Sequence, residues 1–195
     1  MALKKLFTVV TFMTLLGSSA AADSAFGIEY GGELPKGAQA LQTAGMYRVT
    51  EPPKPHSLFE GYTVQYTPET GVCWIRGYSI TFENDKYGNK VKEAYNKLAL
   101  VLNEKYGPKG DTWEELEPNA LWDEPDEFAR SLLAEDRRHS RWFKPTANKN
   151  TDFDYVQMKI YGLDSTSTYL DLQYMNKRLR DKCNEILSRT DDDSL

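Results

Sequence analysis

Two histidines, two cysteines, four tryptophans and twelve tyrosines are the side chains of this 195-residue chain from which a site could be built. His56 follows the run Pro52-Pro53-Lys54-Pro55, and His139 sits among Arg137, Arg138 and Arg141. Neither stands in a metal-ligand spacing such as H-E-x-x-H, and no paired-cysteine motif exists. Three arginines beside His139 would also repel a cation. No nucleophile-elbow, P-loop or dinucleotide glycine pattern is present; Gly27, Gly31 and Gly32 form only a loose glycine segment. Carboxylates are abundant, but pairs of them nominate a catalytic site only once their geometry is known. The sequence therefore nominates no catalytic residue, metal or cofactor, and an enzyme is not the expectation.

Two groups of residues are candidates for binding. Between Asp111 and Glu127 lie eight acidic residues, no basic one, and the interleaved Trp113, Leu116, Leu121 and Trp122. Such a segment suits a basic protein partner, with charge steering the encounter and Trp113 and Trp122 as anchors. It suits better two amphipathic helix starts whose acids favour the N-terminal dipole, neutralised by the basic cluster at 137–144. The second group is tyrosine. Alternation places Tyr155, Tyr161 and Tyr169 on the sheet face opposite Val156, Met158, Ile160 and Leu170, so they form a binding surface if no helix covers that face. Otherwise they are sheet core, since aromatics favour strands.

Cys73 and Cys183 are either a long-range disulfide or two buried thiols.

The elements that must position these residues follow from period and punctuation. Val91, Tyr95, Leu98, Leu102 and Tyr106 recur at helical spacing, and Gly107-Pro108 ends that helix. Met46 to Thr50 is a short strand, and 62–82 reads as a β-hairpin turning at Pro68-Glu69-Thr70-Gly71. A bulge at Arg76-Gly77 would reconcile its two side-chain parities. Strands are expected at 141–144, 155–161 and 170–174, and a closing helix at 176–188. Short helices are expected around Gly37–Thr43, at Thr112 to Glu115 through a capping box, and from Pro125 to about Arg138. The fold class is α+β: a two-layer sandwich with helices packed on one face of an antiparallel sheet, in the order βββα, helical insertion, βββα. The halves 46–106 and 140–188 share that βββα order, though their residue matches are thin.

The N-terminus reads as an address. Lys4 and Lys5, the apolar run Leu6 to Leu16 and the small residues Gly17 to Ala22 make residues 1–22 a signal peptide cut near Ala22. Residues 23–195 then form a single globular α+β domain, periplasmic or secreted. The apolar run is too short for a membrane span of ~20 residues, and no cysteine near the cut offers a lipid anchor, so no anchor is expected in the mature form. The chain has 24 basic and 29 acidic residues. Losing Lys4 and Lys5 leaves 22 against 29, a net charge near −7 that argues against nucleic acid.

Tyr47-Arg48-Val49-Thr50 through Pro52 to His56 and Phe59, followed by Thr70-Gly71-Val72-Cys73-Trp74-Ile75, resembles small uncharacterised bacterial secreted or periplasmic proteins. Phe26-Gly27-Ile28, Lys105-Tyr106-Gly107 and Tyr169 to Tyr174 are similar to that group as well. The resemblance implies export and an α+β fold, and carries no activity. Three functions remain open. The first is a non-enzymatic binding or interaction domain for a protein or glycan of the cell envelope. The second is an inhibitor or immunity-type protein acting through 111–127, and the third a small hydrolase of envelope polymers.

Overall fold

The computed structural model describes residues 24–107, 109–145 and 153–192. The expected signal peptide, and Pro108 of the expected helix stop, lie outside them. Ten strands and three α-helices follow the chain as β1 (Ser24–Ala25), β2 (Ile28–Glu29), β3 (Gln39–Ala40), β4 (Met46–Val49), β5 (Phe59–Thr67), β6 (Gly71–Ser79), α1 (Asn89–Tyr106), β7 (Lys109–Leu116), α2 (Phe128–Leu133), β8 (Arg137–Phe143), β9 (Tyr155–Gly162), β10 (Thr168–Met175) and α3 (Lys177–Asp192). One eight-stranded antiparallel sheet has the order β3-β4-β5-β6-β10-β9-β8-β7, and β1 and β2 form a separate hairpin. The fold is α+β, as expected. Two meanders, β4-β5-β6 and β8-β9-β10, meet where β6 pairs with β10.

Alternation decides which residues form the core. On β9 and β10, Val156, Met158 and Ile160 pair with Tyr174, Leu172 and Leu170, and all six are buried. Ile75, Val64 and Tyr62 extend the same face through β6 and β5. Burying each such aliphatic side chain contributes about 1.5–3 kcal/mol. Helix α1 covers this face over β8, β9 and β10 with the predicted set Val91, Tyr95, Leu98, Leu102 and Tyr106. Its first turn is capped from a distance: the buried Asp85 carboxylate accepts the amides of Lys90 (3.1 Å) and Val91 (3.0 Å). The β1–β2 hairpin covers the other half.

That hairpin turns on Phe26 (φ 56°) and Gly27 (φ 76°). A bulky residue in the left-handed region costs about 1–2 kcal/mol. Packing holds it there, since the Phe26 ring lies edge-on to Tyr62 (4.8 Å), Phe59 (5.3 Å) and Tyr174 (5.8 Å). Gly77 is the floor beneath it; a Cβ there would stand 2.8 Å from Phe26 Cζ.

Gly77 is therefore not the site of the expected bulge at Arg76-Gly77, where pairing is continuous. The extra residue on β6 is Cys73, between the pairs Gln65–Trp74 and Tyr66–Val72. The bulge turns Cys73 to the same side as Trp74, where it is joined to Cys183 of α3. Helix α3 thus lies against the end of the opposite face. Asn184 accepts a hydrogen bond from Gln65 (2.8 Å), and the Arg180 guanidinium lies 4.5 Å from the centre of the Trp74 ring. The two βββα halves consequently share an element order but not an architecture, because α1 and α3 pack on opposite faces.

Three short helices expected from sequence are different in the structure. Residues 39–40 pair with β4 as strand β3. The segment with Thr112 and Glu115 is strand β7, because its acids meet the basic strand β8 across the ladder; a four-residue capping pattern cannot compete with a whole strand pairing. From Pro125 there is a 3₁₀ turn to Glu127, then α2, which ends at Leu133. Glu135 at φ 62° breaks the helix, and Arg137 and Arg138 go to the sheet.

Candidate functional site

Tyr155, Tyr161 and Tyr169 occupy the face opposite Val156, Met158 and Ile160, as alternation requires. All three are half-buried. Among the described residues α3 packs on the β5–β6 end of this face and reaches Met175 of β10 through Arg180, while α1 and α2 lie on the other face, so the remainder carries no helix. Register places its side chains in rows across the strands. Nearest α3 runs Tyr155, Met175, Trp74 and Gln65. The next row is Trp142, Gln157, Gln173, Arg76 and Thr63, then Ser140, Lys159, Asp171 and Tyr78. Tyr161 and Tyr169 form the outermost pair.

The centre of these rows is polar. Asp171 is 0% exposed and takes a two-pronged contact from Arg76, Nε to Oδ1 at 2.9 Å and Nη2 to Oδ2 at 2.7 Å. Gln173 Nε2 donates to the same carboxylate at 2.7 Å. Burial works against the Arg76 charge, and Asp171 more than offsets it, so the guanidinium is held above its ordinary value. Lys159 differs. Burial lowers its pKa, the acids Glu135 and Asp171 act on it only at a distance, and no carboxylate among the described residues makes an ion pair with it. Its ammonium lies 4.2 Å from the centre of the Tyr161 ring.

Aromatic rings surround that centre. Tyr161 and Tyr169 are directly opposite one another, with ring centres 5.3 Å apart and planes 14° from parallel. Neighbouring strands are about 4.8 Å apart. Rings stacked at nearly that spacing stand up from the sheet and present their edges and hydroxyls, not their faces. Burial first, and then Asp171, raises the pKa of both phenols, so they remain donors at neutral pH. Tyr78 adjoins Tyr169 at 6.4 Å and lies 4.7 Å from the Arg76 guanidinium. On the other side Trp113, Trp142 and Tyr155 make an edge-to-face chain at 6.1 and 5.2 Å. The indole nitrogens of Trp74 and Trp142 are buried without a hydrogen-bond partner in the described structure. Two hollows border the face: one of about 520 Å³ by Arg48, Glu60, Thr63 and Tyr78, and one of about 290 Å³ by Arg138, Lys159, Glu135 and Tyr161.

Half of the acids of segment 111–127 form ion pairs within the molecule. Asp111 pairs with Lys144 (3.3 Å), Glu114 with Arg141 (2.9 Å), Glu117 with Arg138 (2.6 Å) and Asp126 with Lys86 (2.9 Å). The basic cluster at 137–144 is thus the complementary strand. Its tryptophans are not brought together. Trp113, 37% exposed, packs on Trp142 beside the open face, whereas Trp122 lies in a loop with Arg130 stacked 3.8 Å from its ring centre.

The histidines are also apart. His56 Nδ1 accepts the Leu58 amide (3.1 Å). His139 lies on the covered face against Tyr95 (4.7 Å) and Phe128 (5.6 Å), and burial pushes its pKa down to about 4. Among the described residues no group of His, Cys, Asp and Glu could hold a metal ion, and no helix is long and apolar enough to cross a membrane.

Arg76, Lys159, Asp171 and Gln173 were absent from the sequence candidates. One signal was available: alternation puts Asp171 and Gln173 on the Tyr169 face. The Arg76–Asp171 contact spans 95 residues of chain and has no local signature. No family model, curated protein or solved structure matches this chain.

Proposed function

We propose that this chain is an exported, non-enzymatic domain that binds a component of the cell envelope through the open face of its sheet. One observation carries this reading. One face of the sheet is sealed by α1, α2 and the β1–β2 hairpin, while the other leaves tyrosines, a tryptophan chain and an unpaired lysine available. Export is supported by the Lys4-Lys5 start, the apolar run to Leu16 and the small residues to Ala22. The Cys73–Cys183 bridge suits an oxidising compartment. A hydrolase of sugar polymers ordinarily needs two facing carboxylates. The carboxylate at the centre of this face, Asp171, is taken up by Arg76, which favours binding over hydrolysis.

The test is retention of the exported protein on purified envelope material. Replacing Tyr161 and Tyr169 together by Ala should release it, while Trp122→Ala should remain bound. Unchanged retention of the tyrosine double variant would sink the open-face reading. Loss with Trp122→Ala instead would favour the acidic segment as the contact. Mass spectrometry of the exported chain should give a mass beginning at Asp23.

A further inference from the structure

The open face inverts the anatomy of a protein interface. Protein interfaces have an apolar core depleted of Lys and Asp and a polar rim. Here the centre is Gln157, Lys159, Asp171, Gln173 and Arg76, and aromatic rings lie outside it. Arg76, Asp171 and Gln173 satisfy one another, but a flat apolar partner would strand the Lys159 ammonium and the Gln157 amide without hydrogen bonds, at a cost of about 1–3 kcal/mol each. Amides and phenol hydroxyls both donate and accept, which matches a ligand whose own groups do both, namely sugar hydroxyls.

Charge narrows the class further. Arg76 and Asp171 neutralise one another, which leaves Lys159 as the uncompensated charge of the centre. It projects from the strand beside Asp171 and next to the paired hydroxyl-bearing rings of Tyr161 and Tyr169. Both phenols are protonated donors, so a carboxylate at this position would meet an ammonium and up to two O–H groups. From β5 to β8 the face spans four strand spacings, about 19 Å, which is room for a run of sugars and not one alone.

We infer that the ligand of the open face is an acidic polysaccharide segment, with Lys159 receiving a sugar carboxylate and Gln157 and the tyrosine hydroxyls receiving ring hydroxyls. This rests on the open-face reading above and adds the chemistry of the ligand. Lys159 is the specificity-determining residue: it distinguishes uronic acids from neutral sugars. Tyr161 orients the lysine by holding its ammonium over the ring.

Calorimetric titration of the full exported chain tests it. The probes are uronic-acid oligomers of differing linkage, neutral hexose oligomers of the same length and an oligoglutamate of matching charge. At least one uronic-acid oligomer should bind about tenfold more tightly than its neutral counterpart, with the preference falling as salt rises. Lys159→Gln should abolish that preference, and Lys159→Arg should restore part of it. Thermal melts of both variants control for folding. Equal binding of acidic and neutral sugars, an unchanged preference in Lys159→Gln, or oligoglutamate binding as tightly as uronate would overturn the inference. If no sugar binds while the Tyr161/Tyr169 double variant still loses its hold on envelope material, the acidic-glycan inference fails and the open-face reading stands. If that double variant keeps its hold, both fail.

Discussion

The two faces of the sheet are built from the same strands, residue by residue in alternation, yet they solve opposite problems. Along β10, Leu170, Leu172 and Tyr174 point to one side and meet α1 and the hairpin; Tyr169, Asp171 and Gln173 point to the other. The apolar face is held by burial, which is non-directional and tolerates approximate fit. The open face is also well shielded, with Thr63, Ser140, Asp171 and Gln173 all below a tenth exposed. There the shielding comes from the long side chains beside them, and the order comes from directed hydrogen bonds. Apolar burial is concentrated on one side of the sheet, and the other side holds polar groups in place by directed contacts.

Three perturbations test that division, beginning with the one that should matter most. Replacing both Cys73 and Cys183 by Ser removes the tie that holds α3 on the open face. A loop of this length gives a chain-entropy contribution of about 4–5 kcal/mol. Denaturant unfolding should show a loss of about that size, and the tyrosine fluorescence of the open face should change before the apolar core gives way.

Next is Asp171→Ala, which leaves the Arg76 guanidinium without its partner and should cost about 3 kcal/mol. The informative control is the double change Arg76→Leu with Asp171→Leu, which should recover most of that stability while ligand binding stays lost. On the apolar face, Met158→Ala should also cost about 3 kcal/mol but leave binding intact. If the double Leu variant is as unstable as Asp171→Ala, or if Met158→Ala abolishes binding in a folded protein, the two faces are not independent.

The third perturbation is pH. Burial holds His139 at about 4, well below the ordinary value near 6.5. The unfolded chain therefore binds a proton that the folded chain refuses. His139 leaves stability undiminished above pH ~6.5 and subtracts from it as pH falls towards 4, up to about 3 kcal/mol, with no further loss below that. His139→Gln should flatten the stability profile between pH 4 and 6.5. Because His139 is on the covered face, ligand binding by the folded protein should be unaffected by this change.

What could be read in the sequence was whatever local period encodes. Five of the six core residues of α1 and the opposite sides of Val156 and Tyr155 follow from spacing alone. Residues 111–116 did not, because their strand state is decided by charges on Arg138, Arg141 and Lys144, some 20 to 30 residues on, that local patterns do not connect to them. Gly77 looked like a backbone irregularity, and its cause is a phenylalanine ring 51 positions earlier. The tyrosines of the site were visible for the same reason as the core, by alternation. The Arg76–Asp171 pair and the solitary state of Lys159 became visible only when β6, β10 and β9 were laid side by side.

The single long bridge also has a bearing on how the molecule is assembled in time. Cys73 belongs to the first meander and Cys183 to the last helix, 110 residues later. In a chain that emerges from its N-terminus, the first thiol waits unmatched until every described strand has appeared. With two cysteines only one intramolecular pairing is available, so reshuffling within the chain cannot occur. The remaining error is a covalent link between the waiting Cys73 of two chains. Crowding of newly made chains, and not a scrambled topology, is the hazard this arrangement leaves open.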